Sequence, residues 1–206
     1  MKKTLAFAAV ALAVLAAASV PTASAEAVVG QAAPAFTLTD SHGKSHSLAG
    51  LAGKVVVLEW WNPECPFVGK HYTSGNMQKL QKEWTAKGVV WLTVSSSGPG
   101  KQGFVDGAKA DALMKEKGGA STAVLLDHDG KAGKAYGAKT TPHMFVIDAK
   151  GRVAYAGGID DKASTDVADV ATAKNHVSAA LAEVLAGRPV SVASSAPYGC
   201  GVKYAD

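Results

Sequence analysis

The chain of 206 residues holds two cysteines, Cys65 and Cys200, far apart in sequence. Cys65 lies in the run Trp60-Trp61-Asn62-Pro63-Glu64-Cys65-Pro66-Phe67-Val68. A strand-like segment, Val55-Val56-Val57-Leu58-Glu59-Trp60, precedes it, and a helical pattern follows with Pro66 at the expected first helical position. A thiol at such a corner sits at the positive end of a helix dipole, which favours the nucleophilic thiolate near neutral pH. The competing reading, a buried apolar cysteine, accounts for neither the helix start nor Pro66. Val68 occupies the fourth position, so no Cys-x-x-Cys pair closes locally. Cys65 needs a second thiol from Cys200, a partner protein or a small thiol. The stretch from Gly187 to Cys200 can extend roughly 40 Å. A domain of this size has a radius of gyration of about 16 Å. Reach therefore does not prevent a Cys65–Cys200 bond, and a free or packed Cys200 is the alternative.

Other residues add to the picture. Glu59 interrupts an apolar strand on the face shared by Val57 and Trp61, so partial burial and a raised pKa are expected. Such a carboxyl near a thiol is a candidate proton relay. Thr140-Thr141-Pro142-His143 opens a strand, where proline is confined to special geometry. Asn62 and Lys70 flank the thiol. Trp60, Trp61, Phe67 and Tyr72 are equally candidates for a pocket or for the core. Cys65, His71 and His143 form a conceivable metal trio, but no paired ligand spacing supports a metal, so none is expected. No cofactor is expected either.

These residues must be positioned by an ordered series of elements. Strands are expected at Ala35–Thr39, Ser45–Leu48, Val55–Trp61, Val89–Val94 and Ala123–Asp127, with a hairpin of Met144–Asp148 and Val153–Ala156. Gly75 should interrupt the helix after Cys65. Ser74 or Asn76 should cap its renewal, which carries Met77, Leu80 and Trp84 on one face. Further helices are expected over about 106–117, 132–136 and 167–185. Strands alternating with helices and ending in a hairpin and helix predict an α/β domain, a central mixed sheet flanked by helices.

At the N-terminus, Lys2 and Lys3, an apolar run over about 5–17 and Ala23-Ser24-Ala25 form a signal-peptide pattern, with cleavage expected after Ala25. The expected divisions are a signal peptide at 1–25, a domain at 26–187 and a tail at 188–206 carrying Cys200. The expected location is periplasmic or secreted, where disulfides are permitted, with no stable membrane insertion after cleavage. Without the two signal lysines, 19 basic residues face 17 acidic ones. No basic stripe interleaved with aromatics suggests nucleic-acid binding.

Together these residues resemble the thioredoxin-like superfamily. More narrowly, they resemble exported redoxin-domain or peroxiredoxin-like proteins related to alkyl hydroperoxide reductase and thiol-specific antioxidant. The resemblance rests on Val28–Phe36, on Cys65-Pro66-Phe67-Val68 with Lys70-His71-Tyr72, on Thr140-Thr141-Pro142-His143, and on Pro197-Tyr198-Gly199-Cys200-Gly201-Val202-Lys203-Tyr204. It implies a thioredoxin-like fold with an N-terminal β-hairpin and an extended C-terminal tail. It also implies a cis Pro142 facing Cys65, and Glu59 at the place of the buried thioredoxin acid. Asn62 stands where peroxiredoxins carry Thr or Ser, and neither Arg152 nor Arg188 matches their site arginine.

The expected activity is thiol-disulfide exchange, with Cys65, Cys200 and Glu59 as the catalytic set. Thr141, Pro142, Trp61, Asn62, Pro66 and Phe67 are the expected binding surface for a thiol or disulfide protein or a small thiol reductant. Reduction of peroxide through a Cys65 sulfenic acid is one alternative. A non-catalytic metal- or partner-binding redoxin is the other.

Overall fold

The computed structural model describes residues 26–206. The expected signal peptide, residues 1–25, lies outside the described residues. Among the described residues, nine strands are present: β1 (Thr37–Asp40), β2 (Ser45–Ser47), β3 (Val56–Trp60), β4 (Val90–Ser95), β5 (Ala123–Leu126), β6 (Thr140–Thr141), β7 (His143–Ile147), β8 (Val153–Gly157) and β9 (Cys200–Gly201). Five α-helices accompany them: α1 (Pro66–Thr73), α2 (Asn76–Ala86), α3 (Gly107–Lys117), α4 (Lys131–Tyr136) and α5 (His176–Leu185).

Every residue of β3 is buried, which fits a central strand. It pairs in parallel with β4 and antiparallel with β7. The resulting mixed sheet has the order β2–β1–β5–β4–β3–β7–β8. Alternation along β3 sends Val57 to one core with Trp61, Cys65, Val68, Met77 and Leu181. Val56, Leu58 and Trp60 enter the other core with Tyr136 and Phe145. The ring centroids of Trp60 lie 5.5 Å from Tyr136 and 5.3 Å from Phe145. The sheet is thus covered on both faces, and each buried large side chain contributes roughly 1.5–3 kcal/mol. The α/β, thioredoxin-like architecture with its N-terminal β1–β2 hairpin is as expected.

Local chemistry sets the helix ends. Gly75 separates α1 from α2 by adopting the left-handed conformation, φ 74°. Gly75 is the N-cap residue of α2, and the expected Ser74 hydroxyl accepts from the first helical N–H, that of Asn76, at 3.4 Å. Asp106 caps α3 by accepting from the Lys109 N–H at 2.8 Å.

The single long helix expected over 167–185 is two pieces. A 3-10 turn covers Val167–Ala171, and α5 begins only at His176. Asn175 breaks the run: it forms a bridge with Asp160 and caps α5 by accepting from the Ser178 N–H at 2.8 Å. The tail also carries structure that composition does not announce. Its β9 residues pair antiparallel with β6, Thr140 opposite Gly201 and Thr141 opposite Cys200.

Candidate active site

Cys65 is the N-cap of α1, and Pro66 is at N1. The loop before it is fixed by Asn62, whose Oδ1 accepts from the Glu64 N–H at 2.9 Å. The Asn62 carbonyl accepts from the Cys65 N–H at 3.1 Å. Across the site the Thr141–Pro142 peptide bond is cis. The Cys65 thiol donates to the Thr141 carbonyl at 2.9 Å. Burial pushes the thiol pKa up, since only 1% of the residue is exposed. The Cys200 thiol, the backbone N–H groups of Val68 and Cys200, and the Thr141 hydroxyl outweigh it and hold the pKa below the ordinary thiol value.

Cys200 is therefore brought to Cys65. Its pKa moves the opposite way, to about 11, through burial and the neighbouring Cys65 sulfur. Both cysteines are free thiols in this state. The pairing of Cys200 with Thr141 puts the tail on the same backbone that receives the Cys65 hydrogen bond. Gly199 permits this approach: with φ 133°, it packs so closely that a Cβ would run into the Thr141 carbonyl.

Glu59 is 1% exposed, as its alternation in β3 suggested. Four donors converge on its carboxyl: Tyr72 Oη at 2.9 Å, Gln81 Nε2 at 3.0 Å, Trp91 Nε1 at 2.8 Å and Thr93 Oγ1 at 3.2 Å. Burial raises its pKa against these four hydrogen bonds. No hydrogen bond links Glu59 to Cys65 among the described residues. These hydrogen bonds tie α1 and α2 to β3 and β4.

The expected binding residues divide by exposure. Pro66 is exposed and Phe67 half-buried beside Cys65, whereas Trp61, Asn62, Thr141 and Pro142 are buried. Trp61 belongs to the core beneath the thiol. Asn62 also donates to the Gln102 carbonyl at 3.4 Å, tying the following loop to the cysteine loop.

A cluster that the sequence did not announce lies beside the site. His71, on α1, is wholly buried, and its Nε2 is 3.1 Å from Tyr198 Oη. Tyr198 donates to Asp160 Oδ1 at 2.6 Å. Burial lowers the His71 pKa to about 4, against the pull of Asp160. Lys70 Nζ donates to the Lys162 carbonyl at 2.8 Å and lies 5.8 Å from the Tyr198 ring centroid. His143 turns elsewhere: its Nδ1 accepts from the Lys139 N–H at 3.3 Å, and its ring lies 4.5 Å from Phe145. Cys65, His71 and His143 thus have separate partners. Among the described residues, no group of three or more His, Cys, Asp or Glu is arranged to hold a metal. Asp160 carried no local signal, since its partners come from α1 and the tail.

The Redoxin family model matches residues 28–197. Thiol-disulfide oxidoreductase ResA of Geobacillus thermodenitrificans is 29% identical over 126 residues, covering 61% of this chain and 66% of the relative. ResA of Halalkalibacterium halodurans is 28% identical over 137 residues, covering 65% of this chain and 71% of that one. The match to the first of these spans just under two thirds of its length. A solved structure of an uncharacterized conserved protein from Geobacillus kaustophilus superposes with TM-score 0.72 at 24% identity, over 86% of this chain and 93% of the other. A candidate thiol:disulfide interchange protein DsbE from Chlorobium tepidum gives TM-score 0.51 at 26% identity, over 64% and 85%. Tyr198 and Cys200 lie beyond the residues that the family model matches.

Proposed function

The chain belongs to the Redoxin family, and from that premise we propose that it is a thiol-disulfide oxidoreductase in which Cys65 attacks and Cys200 resolves. The observation that carries this reading is the divergent pair: adjacent thiols, one with its pKa lowered and the other raised to about 11. Cys65 therefore ionises before Cys200, so the order of attack follows from electrostatics. The relatives named as thiol-disulfide oxidoreductases support the same chemistry.

The Cys65 thiolate attacks one sulfur of a partner disulfide. That bond breaks, and the leaving sulfur departs as a thiolate that takes up a proton. Cys200 then loses its proton and attacks the Cys65 sulfur of the mixed disulfide. The partner leaves with its second thiol, and a Cys65–Cys200 disulfide remains. An external thiol or dithiol reduces it and restores the two free cysteines. Pro66 and Phe67 offer the partner a surface beside the thiol. Glu59 braces α1, which carries Cys65 at its start.

Peroxide reduction has weaker support from the geometry. It needs donors aimed at a developing charge. Asn62 is committed to Glu64 and Gln102, Lys70 to Lys162, and His71 to Tyr198. The export-signal pattern of residues 1–25 supports action in the periplasm or outside the cell; recovery of the chain in a periplasmic extract with Glu26 as its first residue tests this. The functional test is reduction of a peptide disulfide with glutathione as the recycling thiol. Wild type should turn over and Cys65→Ser should not; equal turnover by both rejects the reading.

A further inference from the structure

The tail is fastened on both sides of Cys200. After it, the Lys203 carbonyl accepts from the Gly98 N–H at 2.8 Å, and Tyr204 packs over Gly130 and Gly133. Tyr204 also donates to the Ala138 carbonyl at 2.8 Å. Before Cys200, Tyr198 enters the cluster of His71 and Asp160. Its ring lies 6.0 Å from Phe67 and 6.5 Å from His71.

The hydrogen bonds around Tyr198 have one consistent direction. The Asn76 amide donates to His71 Nδ1 at 2.8 Å, which assigns the ring proton to Nε2. Nε2–H then donates to Tyr198 Oη, and Tyr198 donates to Asp160. His71 is neutral in this arrangement, in keeping with its lowered pKa. His71 and Asp160 are buried and Tyr198 is half-buried, so losing the tyrosine hydroxyl leaves buried polar groups unsatisfied.

The position of this chain of bonds is its significance. His71 belongs to the helix that Cys65 begins. Only Gly199 separates Tyr198 from Cys200, and it is pressed against the Thr141 carbonyl. The anchor and the thiol it carries are thus referred to the same helix as the attacking sulfur. We propose that Tyr198, held by His71 and Asp160, is a positioning residue that fixes the Cys200 thiol beside Cys65 and so sets how readily the two sulfurs close into a disulfide. This rests on the reading of Cys65 and Cys200 as a redox pair.

The physical basis is loss of freedom in advance: a second thiol already held in place closes a disulfide at a higher effective concentration than one on a loose tail. In closure, glutathione disulfide takes two electrons from the cysteine pair. The S–S bond of glutathione breaks, the Cys65–Cys200 bond forms, and two glutathione thiols leave carrying the two protons. Tyr204 keeps the tail attached when the Tyr198 anchor is weakened, so a change at Tyr198 reads position and not detachment.

The test uses the full-length protein equilibrated with reduced and oxidised glutathione, with the closed disulfide counted by mass after alkylation. Tyr198→Phe keeps the ring and removes the hydroxyl. It should shift the equilibrium about tenfold toward the open dithiol, or about 30 mV. Asp160→Ala should do the same, whereas Asp160→Asn, which retains an acceptor for the tyrosine hydroxyl, should restore most of the closure. Lower melting temperatures with an unchanged closure equilibrium would indicate a merely structural residue and overturn the proposal. If wild type forms no internal disulfide at any glutathione ratio, the functional reading fails by itself. The positioning claim is then decided by alkylation of Cys200: faster modification in Tyr198→Phe upholds it, and an unchanged rate rejects it.

Discussion

At the scale of residues, the site is two thiols of opposite acidity: Cys200 and the start of α1 lower the Cys65 pKa, while burial and the Cys65 sulfur raise that of Cys200. The Thr141 carbonyl accepts from Cys65 in its thiol form, while Cys200 and the start of α1 favour its thiolate. The favouring group wins, and the sign gives a pH profile. Alkylation of Cys65 by iodoacetamide should rise through a midpoint below the ordinary thiol value of about 8.5. Cys200 should stay slow until the pH approaches about 11. Coincident midpoints, read site by site by mass spectrometry, would contradict the assignment of attacker and resolver. Glu59 makes a second prediction. Glu59→Gln places an amide N–H among the donors of Tyr72, Gln81, Trp91 and Thr93. It should cost about 1–3 kcal/mol in urea unfolding; an unchanged midpoint would show that the network braces nothing. Cys65 and Glu59 were legible in the sequence because a helix start and strand alternation are local patterns. The partners of Glu59 were not, since they come from α1, α2 and β4.

At the scale of elements, the legible parts are those with a period. β3, β4, α2 and the β7–β8 hairpin stand close to where their patterns suggested. The β6–β9 pair was not legible, because two residues per strand carry no periodicity and the partners lie far apart in sequence. The break before α5 was hidden because Asn175 acts through a bridge to Asp160, distant in sequence. Gly199 provides the test at this scale. In Gly199→Ala the methyl group collides with the Thr141 carbonyl, and φ 133° is unfavourable for alanine. β9 should lift from β6, so the Cys65–Cys200 disulfide should form more slowly while Cys65 still attacks a small disulfide. Non-reducing peptide mapping over time measures the first, and thiol release measures the second. Retention of the wild-type closure rate would show that the β6–β9 contact is dispensable.

At the scale of the whole molecule, the tail returns to a cysteine that follows the interior strand β3. No described helix is long and apolar enough to cross a membrane. A bond between Cys65 and Cys200 links positions 135 residues apart. By the chain-entropy relation such closure stabilises by about 5 kcal/mol if the native geometry is unstrained. The oxidised protein should therefore unfold at higher urea than the reduced protein, and Cys200→Ser should remove the difference. Equal midpoints in both redox states would argue against an internal pair. The most direct measurement is trapping of the intermediate with a peptide disulfide, read by intact mass under non-reducing, acid-quenched conditions. Cys200→Ser should accumulate a mixed disulfide at Cys65, while wild type should pass on to the internal disulfide and release both peptide thiols. An adduct on Cys200 that forms equally well in Cys65→Ser, with none at Cys65 in either protein, would contradict the account.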